Sequence, residues 1–125
     1  MTLAFQFLLL LVLLQTKHLL IDWIYQPAYE WQNKGTYGHW GGVRHAFKNA
    51  VGTGLCFLPF VSITNCIWIV IIDFLLHYHI DWTKMNINRI KKWGPLTHDN
   101  FWRLVGIDQF LHQICYLYLI WLFLF

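Results

Sequence analysis

Asp73, His77, Asp81 and Lys84 stand four, four and three residues apart. On an α-helix those offsets stack all four side chains on one face, a turn apart. Similar files recur elsewhere. Gln15, His18, Asp22 and Gln26 are spaced by three, four and four, His45 precedes Asn49 by four, and Asp108 precedes His112 by four. Imidazoles and carboxylates in such numbers are the donors of a mixed nitrogen and oxygen metal site. The candidate ligands are His18, Asp22, His45, His77, Asp81, Asp108 and His112, enough for one or two divalent ions. Zinc is the first expectation, manganese or iron the alternatives; this donor mix does not suit calcium. Each His–Asp pair at i, i+4 also lets the carboxylate orient the imidazole. Among the catalytic candidates, Asp81 or Asp108 would act as general base on a metal-bound water, whose pKa the ion lowers. Lys84 would offset charge developing on an anionic group such as phosphate. No serine or cysteine is placed among these residues, which disfavours covalent catalysis.

These groups need elements that can hold them together, and the composition says what kind. The chain has 125 residues, 58% hydrophobic and 19% aromatic, with only 12% charged. A soluble domain of this size has too much surface to cover with so few charges. Eight tryptophans and six tyrosines suit a bilayer, where amphipathic rings settle at the headgroups. The lipid bilayer is therefore the first expected partner. The net charge of +3 is too diffuse for a nucleic-acid binder. Cys56, Cys66 and Cys115 are isolated in apolar runs and form no C-x-x-C pair, so they read as small buried hydrophobes.

The expected fold is all-α: a single membrane domain, residues 1–125, forming an up-down-up-down bundle of four transmembrane helices. Their approximate bounds are 2–26, 42–60, 62–84 and 100–125, with loops at 27–41 and 85–99. The first run lacks a cationic n-region and a small-residue cleavage site, and its first positive charge is Lys17, so it reads as a retained helix ending before Pro27. The second is the weakest candidate, since Arg44, His45, Lys48 and Asn49 crowd its start. Its Ala50, Gly52 and Gly54 would admit a neighbouring helix closely. Asp99 or Asn100 would cap the last helix. Lys84 to Trp93 reads as an amphipathic surface segment attracted to anionic headgroups.

Short connections make consecutive helices antiparallel. The polar ends of all four then meet at one side of the bundle, with His18 and His112 roughly 12–18 Å inside their helix ends. All nine lysines and arginines fall on that side and none on the other. By the positive-inside rule the charged loops are cytoplasmic and both termini lie outside. A bacterial inner membrane is the expected setting.

Taken in order, His18-x3-Asp22-x3-Gln26, an isolated Lys34, His45, His77-x3-Asp81-x2-Lys84 and Asp108-Gln109-x-Leu111-His112 span most of the chain. In this it resembles the domain of unknown function 3307 family of small bacterial and phage integral membrane proteins. The resemblance implies a membrane bundle with a polar cluster and brings no established activity. The expected function is a metal-dependent hydrolase acting on a phosphate-bearing or lipid-linked substrate at the inner leaflet. The alternative is a non-enzymatic subunit of a membrane complex, or an ion- or proton-conducting component, in which the His/Asp layer is structural and the chain pairs with itself or a partner. Asp73 is expected on His77, His79 and His98 at the surface, and Lys17 and Arg103 as interfacial anchors.

Overall fold

A computed structural model describes all of residues 1–125, and every regular element in it is helical. Helix α1 (Leu3–His18) starts where the Thr2 hydroxyl accepts from Phe5 N–H, 3.3 Å away. It runs straight into a π-helical segment, Leu19–Ile24, that ends just ahead of Pro27. A short helix, α2 (Ala28–Asn33), and a glycine-bearing turn lead to α3 (Trp40–Phe57). Ser62 caps α4 (Ile63–Lys91), accepting from Asn65 N–H. Lys92 ends α4 in the left-handed region at φ 55°, and α5 (Asp99–Leu124) completes the chain.

Helix α1 packs on α3 and α5, and α4 packs on the same two, so the four long helices close a ring. Pairings across each seam run in opposite senses. Phe7 meets Phe125 while His18 meets Gln109; Gly54 meets Val70 while His45 meets His77. The bundle is therefore up-down-up-down, with both termini at one end.

Only three of the four long helices are long and apolar enough to cross a membrane: Leu3–Ile24, Ile63–Lys91 and Asp99–Leu124. The expected count of four is corrected here, because α3 spends its first half on Arg44, His45, Lys48 and Asn49. Two further expectations change. The basic segment after Lys84 is no separate surface helix, since α4 continues unbroken to Lys91. Asp99 and Asn100 do not cap α5: the capping position is His98, without a side-chain bond, and Asp99 lies in the first turn.

Just 29 residues are buried, and among them polar and charged side chains outnumber apolar ones. The exposed surface is the apolar part. Phe5, Leu8, Val12, Ile67, Trp68 and Trp121 each stand more than half exposed, an arrangement suited to lipid as the surrounding solvent. A dry cluster that includes Leu10, Leu14, Phe57, Ile69, Tyr116 and Leu119 fills the end near the termini, and the polar groups fill the other.

Lipid tails are as apolar as this core, so contact geometry rather than transfer from water holds the helices together. At Gly54 an added Cβ would lie 2.5 Å from Val70 Cγ2, and at Gly52 it would lie 2.8 Å from Ile21 Cδ1. Gly54→Val is therefore expected to destabilise the bundle by about 1–3 kcal/mol, seen as a lower unfolding temperature in detergent.

Candidate functional site

Four helices deliver one layer of imidazoles and carboxylates. His45 on α3 and His77 on α4 face each other with their Nε2 atoms 3.3 Å apart. Two carboxylates flank that pair. Asp22 Oδ1 lies 3.0 Å from His45 Nε2 and 3.4 Å from His77 Nε2. Asp81 Oδ2 lies 3.2 Å and 3.4 Å from the same two nitrogens. The ligand atoms of Asp22, His45 and His77 all lie within 4.8 Å of one another, and those of His77, Asp81 and His112 form a second such group. Asp22 and Asp81 are 6% and 3% exposed. Buried acceptor atoms converging this closely need positive charge among them, from a proton on an imidazole, the Lys34 ammonium 3.2 Å from Asp81 Oδ2, or a metal ion.

The π-helical segment contributes to the convergence. Tyr25 N–H bonds back five residues to the Leu20 carbonyl at 2.7 Å, widening the last turns of the helix around Asp22. Such insertions re-aim side chains and are frequent at functional sites. Asn49 Nδ2 donates to Asp22 Oδ1 at 2.8 Å, from the same face of α3 as His45.

On the far side of His45, Nδ1 lies 3.3 Å from Glu30 Oε2. Donation there places the proton on Nδ1 and leaves the Nε2 lone pair directed at the cluster, the carboxylate–histidine arrangement found behind metal ligands. Glu30 is itself buried and also meets Lys48 and Arg44, each at 2.8 Å. Burial works against its charge, but Lys48 and Arg44 outweigh this and hold its carboxyl below the usual carboxylate range. Glu30 falls within the loop expected at 27–41, which holds the short helix α2, and nothing in its spacing ties it to His45.

The seven expected ligands come together unequally. Asp22, His45, His77 and Asp81 form the centre just described. His112 Nε2 lies 3.4 Å from Asp81 Oδ1 and 3.5 Å from Asp108 Oδ1, beside the same group. His18 stands one shell out. Its Nε2–H donates to Gln109 Oε1 at 2.7 Å, and its Nδ1 lies 3.1 Å from the Tyr116 hydroxyl and 2.8 Å from Asp22 Oδ2, without an aligned hydrogen bond to that oxygen. Both ring nitrogens of His18 are thus engaged by Tyr116 and Gln109, which leaves His18 beside Asp22 and outside the donor atoms. Lys84 Nζ holds Asp108 Oδ2 at 2.9 Å.

Asp73 does not bond His77. It accepts instead from the Thr53 hydroxyl at 2.7 Å. Lys17, expected as an interfacial anchor, is buried instead: it donates to Tyr116 of α5 at 2.9 Å and its stem runs along α3 at Gly52. His79 and His98 are exposed, as expected, and Arg103 is exposed too.

Lys34, from the end of α2, reaches Asp81 Oδ2 at 3.2 Å. Burial opposes its charge, but Asp81, then Asp22 and Asp108, outweigh this and raise its pKa, keeping it an ammonium. Lys34 and Lys84 sit with Asp22 and Asp81 at the floor of a cavity of about 410 Å³. Its walls include Trp23, Trp31, Phe101 and Trp102.

Fold and site together define an all-helical, membrane-type bundle with a buried His/Asp cluster beneath an aromatic cavity. The chain belongs to the family described as Protein of unknown function (DUF3307), whose model matches residues 5–125. No curated protein and no solved structure matches it.

Proposed function

We propose that this protein is an integral-membrane, metal-dependent hydrolase acting on a phosphate-bearing, lipid-linked substrate, with its site opening to the cytoplasmic leaflet. One observation carries the reading: a buried His₂Asp₂ donor set adjoins a cavity with two lysines on its floor and aromatic side chains on its walls. The donor atoms suit zinc first, with manganese or iron as alternatives. A divalent ion there would polarise a phosphoryl oxygen and acidify a water molecule. Lys34 and Lys84 would neutralise the remaining phosphate oxygens. Among the aspartates, Asp22 is the best placed to accept the water proton. It lines the cavity, and its Oδ2 has no aligned hydrogen bond while His18 stands beside it. The tryptophans would take the apolar part of the substrate. Segregation of the basic residues to the site end supports a cytoplasmic opening with both termini outside.

The test uses the full chain in lipid nanodiscs, loaded with Zn²⁺ and given phosphatidate. Phosphate release that stops on chelation and returns with added Zn²⁺ is expected. Protein that holds no metal, or loaded protein that releases phosphate from neither phosphatidate nor a soluble phosphomonoester, overturns the hydrolase. Metal-free protein is the outcome expected of the alternative, a non-enzymatic membrane-complex subunit whose His/Asp network is structural. The favourable observation for that reading is that each of His45, His77 and His112 already has a carboxylate within 3.5 Å.

A further inference from the structure

The two oxygens of Asp81 address different partners. Oδ2 faces His45 and His77, at 3.2 and 3.4 Å, whereas Oδ1 faces His112 Nε2 at 3.4 Å. We propose that the centre holds two divalent cations bridged by Asp81. The first lies among Asp22, His45, His77 and Asp81 Oδ2, the second among Asp81 Oδ1, Asp108 Oδ1 and His112. This deepens the metal-dependent reading above and rests on it.

Asp108 supplies the independent observation. Its carboxylate is 2% exposed, and Oδ1 has no hydrogen-bond partner. The other oxygen is held twice, by Lys84 Nζ and by Gln109 Nε2, each at 2.9 Å. Those two bonds fix the carboxylate so that the free oxygen lies 3.5 Å from His112 Nε2, too far and too poorly aligned for a hydrogen bond. A buried carboxylate oxygen left facing an imidazole nitrogen costs free energy that a cation between them would recover. Lys84 does not fill that place. It sits on the outer oxygen of Asp108 and stays 4.0 Å from Asp81 Oδ1.

Asp22 of the first set and the bridging Asp81 both line the aromatic cavity, whereas Asp108 and His112 do not. The His77 and His112 rings are 4.2 Å apart between centroids, so the two sets adjoin. A carboxylate shared in this manner spaces two ions by about 3.5–4 Å, as in hydrolytic two-ion centres.

The experiment counts ions. The full-length protein in nanodiscs is stripped with chelator, dialysed against buffered Zn²⁺ and analysed for zinc per chain. A parallel sample takes Mn²⁺ for electron paramagnetic resonance. Two zinc ions per chain and an exchange-coupled manganese signal are expected in the wild type. His112→Gln should hold one zinc and show only an isolated manganese signal, with unchanged helicity by circular dichroism. If that variant fails to fold, Asp108→Asn gives the same readout. One zinc per chain in the wild type without a coupled signal overturns the bridged pair while leaving a single-ion enzyme standing, and no bound zinc overturns both. Two ions retained in His112→Gln or in Asp108→Asn overturn the assigned second set.

Discussion

Removing the His45 imidazole is expected to cost the centre the ion held beside Asp22 and His77. His45 is fully buried, and its Nε2 touches three of the groups that would share the metal: Asp22, His77 and Asp81. Structural zinc sites are worth about 10–16 kcal/mol, so one donor in four carries about 3 kcal/mol, or roughly a hundredfold in affinity. His45→Ala should weaken Zn²⁺ binding by at least about that factor in competition with a chromophoric chelator. His45→Gln fills the space without supplying a good ligand and should behave alike, which separates loss of a donor from loss of packing. Glu30→Gln, which removes only the charge behind Nδ1, should cost about 10–100-fold. Wild-type affinity in both His45 variants would mean that His45 binds no metal.

Lys34→Met is expected to separate turnover from metal content. Lys34 Nζ lies 3.2 Å from Asp81 Oδ2 at the cavity floor, inside the cluster and within reach of a bound phosphate. Loss of one charge-stabilising donor to a transition state lowers kcat by about 10²–10³-fold. The same ammonium competes with a metal ion for Asp81, so its removal should leave zinc content unchanged or raise the affinity. A variant that loses zinc along with activity would make Lys34 a structural support of the cluster. Full activity in Lys34→Met would remove it from the site altogether. The loaded and ion-free forms should also diverge in stability. Without an ion, the variant leaves Asp81 short of a counter-charge and should unfold earlier than the wild type.

Much of the architecture is legible from local pattern. Offsets of three and four place His77 above Asp81 and His112 above Asp108 whatever the helices do next. Apolar runs with cations at one end set the helix order and the antiparallel packing, because short connections leave no other choice. From these alone the polar ends must share a layer, and they do. The apolar runs also account for the three helices long enough to cross a membrane. They mislead for α3, where position within the bundle, flanked by α1 and α4, does the work that hydropathy does elsewhere.

Tertiary structure decided what each polar group does within that layer. Spacing shows which side chains share a face, but not which oxygen of a carboxylate meets which neighbour. Only the packed bundle divides Asp81 between His45 and His112, turns His18 away from the donor atoms and hands Asp73 to Thr53. The π-helical turns around Asp22 carry no mark in the residues that form them. The burial of Glu30, Lys17 and Lys34 is equally silent in one dimension, since each has its partner on another element: His45, Tyr116 and Asp81. The physical reason is the same in every case. Helical periodicity is a local property of the backbone, whereas the pairing of charges depends on distances that exist only once separate helices are in contact.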